Sequence, residues 1–228
     1  INVASEKWLK ALSELCKQHG IVLIVDDIQM GCGRTGAFFS FEAAGIRPDI
    51  VCLSKSISGY GLPFALTLLR PELDVWAPGE HNGTFRGHNL AFVTGRAALD
   101  EFWTTDALMA QVAAKSTLVQ AGFRRLAERF GGQVRGRGFV QGIAFDTPGL
   151  ARAAARAAFE RGLLIETAGA GDRVLKFLAP LTIDEAQLRE GLDVLESAVA
   201  AAAHRSSPRR ENRSDVCGTA QAPIEAHP

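Results

Sequence analysis

Pro48-Asp49-Ile50-Val51-Cys52-Leu53-Ser54-Lys55-Ser56 decides the fold. Its four apolar residues make a short strand of the kind buried on both faces of a parallel sheet. A polar Ser-Lys-Ser closes the run, so an amine stands at the strand's end. Upstream, Ile21-Val22-Leu23-Ile24-Val25 repeats the pattern and ends on Asp26-Asp27. Residues 5–19 before it predict an amphipathic helix, with Trp8, Leu9, Leu12, Leu15 and Cys16 on one face and Gly20 as the C-cap. Residues 64–69 predict a third strand after the turn Gly59-Tyr60-Gly61-Leu62-Pro63. Helix, strand, connection and strand argue for an α/β sheet with short loops at the strand ends.

Helical patterns follow over 90–103 and 106–130, the second stopped by Gly131-Gly132. The pattern then changes. Residues 134–145 predict a hairpin, 150–161 a helix, 163–167 and 174–178 strands, and 183–203 a final helix. This is a compact α+β unit distinct from the first sheet. The division falls in the 106–130 helix: residues 1–115 in a parallel-sheet domain, 116–203 in a small α+β domain. Residues 204–228, rich in Ser, Pro, Arg and Asn, read as a disordered tail.

The composition excludes several roles. With 25 basic and 25 acidic residues the formal net charge is zero, which gives no support to a nucleic-acid or membrane-surface role. No apolar run approaches the ~18 residues of a membrane helix, and no signal peptide opens the chain. At 47% hydrophobic residues, a substantial core can form. Cys16, Cys32, Cys52 and Cys217 show no CxxC pairing and read as reduced residues of a cytoplasmic protein. His81 and His88 lack a third ligand, so no metal site is expected. The chain begins on Ile1 and enters a helix almost at once, which suggests a piece of a longer polypeptide.

A lysine and a carboxylate at adjacent strand ends of a parallel sheet face one crevice. That pair suits pyridoxal 5'-phosphate: an amine for its aldehyde and an acid for its ring nitrogen. One carboxylate of Asp26-Asp27 would keep the ring nitrogen protonated. Ile28 offers an apolar face and Gln29 a hydrogen-bond donor. Lys55, once free and neutral, can act as a general base. Thr84, in the polar stretch Glu80-His81-Asn82-Gly83-Thr84-Phe85-Arg86-Gly87-His88-Asn89, could donate to a phosphate, although a plain loop would read the same. Gly31-Cys32-Gly33-Arg34-Thr35-Gly36 matches the dinucleotide fingerprint GxGxxG. We reject that reading, because Asp26-Asp27-Ile28-Gln29 separate it from the strand and no helix opens at Gly36. A tight loop bringing backbone close to a ligand or another subunit fits better.

Together, residues 25–36, Pro48-Asp49-Ile50 leading to Ser54-Lys55-Ser56, and Gly83-Thr84-Phe85 resemble class III aminotransferases of fold type I, over about residues 1–200. The resemblance implies part of the large parallel-sheet domain plus the small C-terminal α+β domain. It implies Lys55 as the cofactor-bearing lysine, Asp26 as the ring-nitrogen partner and Gln29 near the phenolic oxygen. Thr84 would reach the phosphate of a neighbouring subunit's cofactor, so a homodimer or higher oligomer is implied. Lys176 stands where many relatives carry a carboxylate-binding arginine, without the bidentate fork. Asp27 stands where Glu is common. Residues 58–65 and 79–87 point to a branch passing the amino group of glutamate to aspartate 4-semialdehyde. Amino acids and oxo acids are then the small-molecule partners. Class members acting on ornithine, 4-aminobutyrate or diaminobutyrate of siderophore pathways are the alternatives. The family's phosphate loop and ring-stacking aromatic lie outside this sequence, so an inactive truncated fragment that only binds a subunit is a further alternative.

Overall fold

A computed structural model of the protein describes residues 1–59 and 61–206. Helix α1 spans Glu6–Gln18. It starts at Ser5, whose Oγ accepts the Trp8 amide at 3.2 Å, and it carries Glu6 in its first turn and Lys17 in its last, as a helix dipole favours. Strand β1 (Ile24–Asp26) pairs parallel with β2 (Ile50–Leu53), placing Asp26 opposite Cys52. Strand β3 (Leu66–Leu69) pairs antiparallel with β2. The first sheet is therefore mixed, and the expected parallel arrangement holds for β1 and β2 alone. The expectation of burial on both faces also needs correction. Val51 and Leu53 are buried, whereas Ile21, Val22, Ile24 and Leu68 are exposed. A strand buried on both faces needs a covering layer on each, and the described helices leave this apolar surface open.

Helix α2 (Asn89–Phe102) is capped by His88, whose Nδ1 accepts the Ala91 amide at 3.1 Å. Helix α3 runs unbroken over Ala107–Phe130. The division placed at residue 115 falls inside it. Strands β4 (Gln133–Arg137) and β5 (Val140–Ala144) form the expected hairpin. Helix α4 (Leu150–Phe159), β6 (Glu166–Ala168), β7 (Val174–Phe177) and α5 (Glu185–Ser206) complete the chain. The second sheet is wholly antiparallel, in the order β4-β5-β7-β6. Its register lines up Val134, Ile143 and Leu175 on one face. That face packs on Phe123 and Val119 of α3 and on Leu195 and Val199 of α5. Phe139 meets Phe177 edge-on at 4.9 Å. Small side chains at Ala157, Ala158 and Ala198 let α4 and α5 approach closely. Lys115 is buried beside this core, its Nζ donating to the carbonyls of Leu181 at 2.7 Å and Ile183 at 2.8 Å. Residues 204–206, expected in the tail, continue α5; the rest of that expectation, with Cys217, lies outside the described residues.

Candidate active site

The carboxyl ends of β1 and β2 bring two of the expected site residues, Asp26 and Lys55, onto one edge of the sheet. Lys55 directly follows β2 in a short 3-10 turn, Lys55–Ser58. Its φ of 54° is left-handed, a conformation that costs a non-glycine residue about 1–3 kcal/mol and persists only where neighbours enforce it. Serines do so here. Ser54 Oγ donates to the Phe64 carbonyl at 2.7 Å. Buried Ser58 donates to the Lys55 carbonyl at 3.2 Å and accepts the Gly61 amide at 2.9 Å. The Lys55 side chain is exposed and forms no hydrogen bond or ion pair with the described residues.

The two aspartates divide. Asp26 is exposed, and its Oδ1 accepts the Ile28 amide at 3.0 Å, closing the turn that leaves β1. No described cation pairs with it. Asp27 is 1% exposed. Its amide donates to the Cys52 carbonyl at 2.9 Å, tying the strand ends together, and its Oδ2 accepts the Ser40 amide at 2.8 Å. Its Oδ1 is buried with no partner among the described residues. Asp26 is thus the available carboxylate, and Asp27 the one that holds residues 28–40.

Half-buried Ile28 and Gln29 follow. Gln29 lines a cavity of about 420 Å³ together with Thr35, Ser40, Arg137 and Lys176. Lys176 is 16% exposed and lies 3.4 Å from Glu166 Oε2. Arg137 escaped the sequence reading. Thr84 sits apart in an exposed loop, with no hydrogen bond to Lys55, Asp26 or Gln29. A further cavity, about 730 Å³, opens at the opposite, amino ends of β1 and β2 beside Leu23 and Asp49; parallel strands present their ligands at the carboxyl ends.

The 31–36 loop lines the 420 Å³ cavity through Thr35 and packs on the second sheet. Its backbone meets the β4–β5 turn: the Phe139 amide donates to the Arg34 carbonyl at 2.7 Å. The turn residue must be glycine, since a Cβ at Gly138 (φ 58°) would stand 2.6 Å from the Thr35 carbonyl carbon. The Arg34 guanidinium donates to the Ala179 carbonyl at 2.9 Å. Cys32, buried in this loop, has its thiol pushed up to about 11 by burial and then by the nearby Asp27 carboxylate. A protonated thiol is a poor nucleophile or ligand. Among the described residues there is no cluster of potential metal ligands and no helix long and apolar enough to cross a membrane.

Comparison with known proteins agrees on one kinship. The aminotransferase class-III family matches residues 1–199. Diaminobutyrate--2-oxoglutarate transaminase of Nocardia farcinica is 58% identical over 200 residues, covering 87% of this chain and 46% of the relative. The protein of that name from Bordetella parapertussis is 55% identical over 212 residues, covering 91% and 49%. The chain thus spans about half the length of the curated relatives it matches. The crystal structure of N-acetylornithine aminotransferase from Stenotrophomonas maltophilia superposes with a TM-score of 0.75 at 35% identity, covering 87% of this chain and 52% of that one. The chain belongs to the class III aminotransferases.

Proposed function

We propose that the complete protein moves the amino group of L-glutamate to L-aspartate 4-semialdehyde, giving L-2,4-diaminobutyrate and 2-oxoglutarate. One observation carries the chemistry: Lys55, with no ion-pair partner among the described residues, and Asp26, with no cation beside it among them, stand at the carboxyl ends of neighbouring parallel strands. The names of the relatives supply the substrates.

Class III aminotransferases use pyridoxal phosphate. The residues present fit it: among the described residues Lys55 has no competing partner and Asp26 no competing cation. When bound, the cofactor supplies a sink for the electrons left behind when an amino acid loses its α-proton. The protein's part is then positional and acid–base. With the cofactor bound, Asp26 would hold its ring nitrogen protonated, Ile28 would offer an apolar surface and Gln29 a hydrogen-bond donor. Lys55 takes the proton from the donor's α-carbon and returns it. The enforced left-handed turn fixes where its amine starts. Lys176 receives a substrate carboxylate as a point charge. Thr84, on its exposed loop, reaches the phosphate bound by a second copy, so the working protein is a homodimer or larger. Residues 1–115 and 116–203 act as the two domains, sharing α3. Free Cys16, Cys32 and Cys52 suit the cytoplasm.

The test is turnover by the complete protein. Glutamate plus aspartate 4-semialdehyde should yield diaminobutyrate. Turnover of ornithine with none of the semialdehyde would remove the substrate assignment. Borohydride reduction should add a pyridoxyl mass at Lys55, and a Lys55→Ala protein should gain none.

A further inference from the structure

The second sheet has a core face and an opposite face, and the opposite face is cationic. Its register puts Lys176 beside Gly142 and Gly142 beside Arg135, while Arg137 stands two residues along β4 from Arg135, opposite Val140. Side chains two apart on a strand share a face. Arg137 and Lys176 therefore project from the same side, with Gly142 contributing no side chain between them. Both line the 420 Å³ cavity that Gln29 also lines. The two cations differ in what occupies them. Lys176 already pairs with Glu166, whose side chain is two-thirds exposed. Among the described residues the Arg137 side chain makes a single hydrogen bond, from Nη2 to the Ser40 carbonyl. A guanidinium has five donors in a planar fork, so most of Arg137 remains uncommitted.

We propose that Arg137 is a substrate-binding residue that grips one carboxylate of a dicarboxylic substrate while Lys176 takes the other. The proposal rests on the reading of the site as an aminotransferase centre. Glutamate and 2-oxoglutarate each carry two carboxylates. Diaminobutyrate and aspartate 4-semialdehyde carry one. A single point charge at Lys176 cannot tell these apart, and it lacks the fork that orients a carboxylate. Arg137 supplies that fork from β4, across β5 on the same face of the sheet. A cavity of this size admits a five-carbon diacid, and the Ser40 contact aims the guanidinium without saturating it. The position thus selects between the two halves of the reaction rather than speeding both.

The complete holoenzyme tests this in Arg137→Gln and Arg137→Lys forms. In Arg137→Gln, KM for glutamate and for 2-oxoglutarate should rise tenfold or more, while KM for diaminobutyrate moves less than twofold. Arg137→Lys should recover part of the loss. A merely structural role, holding the 28–40 loop through Ser40, would raise both KM values together and lower the thermal midpoint; that result, or unchanged KM values, overturns the proposal. Calorimetric titration with glutarate, a non-reacting diacid, separates the two readings. If the unmodified enzyme fails to transaminate glutamate but binds glutarate, and Arg137→Gln does not bind it, the function is wrong and the residue assignment stands. If transamination is intact and glutarate binds both forms equally, the assignment is wrong and the function stands.

Discussion

Leu175 in β7 and Ile24 in β1 are strand residues of equal volume, yet Leu175 is fully buried and Ile24 is 57% exposed. The same contrast separates their sheets. The large core lies wholly between residues 108 and 202, among α3, α4, α5 and the antiparallel sheet. The mixed sheet contributes little to it, with β1 reading exposed, half-buried, exposed. Yet Asp26 and Lys55 sit on the mixed sheet. Burying a large aliphatic side chain is worth about 1.5–3 kcal/mol, so stability concentrates in the second unit, while Lys55 and Asp26, the residues proposed for the chemistry, stand in the first.

Four tests, built on six substitutions, would sharpen or break that contrast. The largest effect belongs to Lys55. In the complete protein Lys55→Ala should cut turnover by ~1,000-fold or more, since it removes both anchor and base, with no fall in the unfolding midpoint. A midpoint that drops with activity would make Lys55 a structural residue. Next is Leu175→Ala, which should destabilise the 228-residue chain by about 2–5 kcal/mol through the cavity it leaves. Ile24→Ala should change it by under ~1 kcal/mol. Urea titrations that gave equal shifts would erase the difference between the sheets. The aspartates come third. Asp26→Ala should lose far more turnover than Asp27→Ala. Asp27→Ala should instead lower stability by about 1–3 kcal/mol as the Ser40 amide loses its acceptor. Equal losses of activity would assign the wrong carboxylate. The smallest effect is alkaline. The folded chain holds the Cys32 proton up to about 11, against an ordinary value of 9.0. The unfolded chain releases it first, so stability falls as pH rises through that window. Cys32→Ala should flatten this slope, measured as the unfolding midpoint between pH 8 and 11.

The sequence reached most elements and the strand-end pair, and its shortfalls have physical causes. The strands of the mixed sheet start late: β1 begins at Ile24 rather than Ile21 because apolarity does not mark where pairing starts. The direction of β3 left no trace, since an apolar run reads alike parallel or antiparallel. Expected burial failed at Ile24 and Leu68 because burial depends on what covers a sheet. Which aspartate is available was equally hidden; it depends on Ser40, thirteen residues away from Asp27. Arg137 was invisible for a different reason. Only the register of β4, β5 and β7 puts it on the side of Lys176. An arginine pair spaced by one residue in a predicted hairpin was the available signal.

Arg34 has one more consequence. Helix α3 is a rod of about 36 Å at 1.5 Å per residue, and it joins the two sheets covalently. Arg34 joins them again without a covalent bond, its carbonyl on Phe139 and its guanidinium on Ala179. Arg137 adds a further tie through the Ser40 carbonyl, so residues 34–40 are held against the second unit at both ends. Ser40 is the shared member: its carbonyl accepts from Arg137 and its amide donates to Asp27, so a shift of this one residue is felt both on the sheet that carries Lys176 and at the strand end beside Asp26.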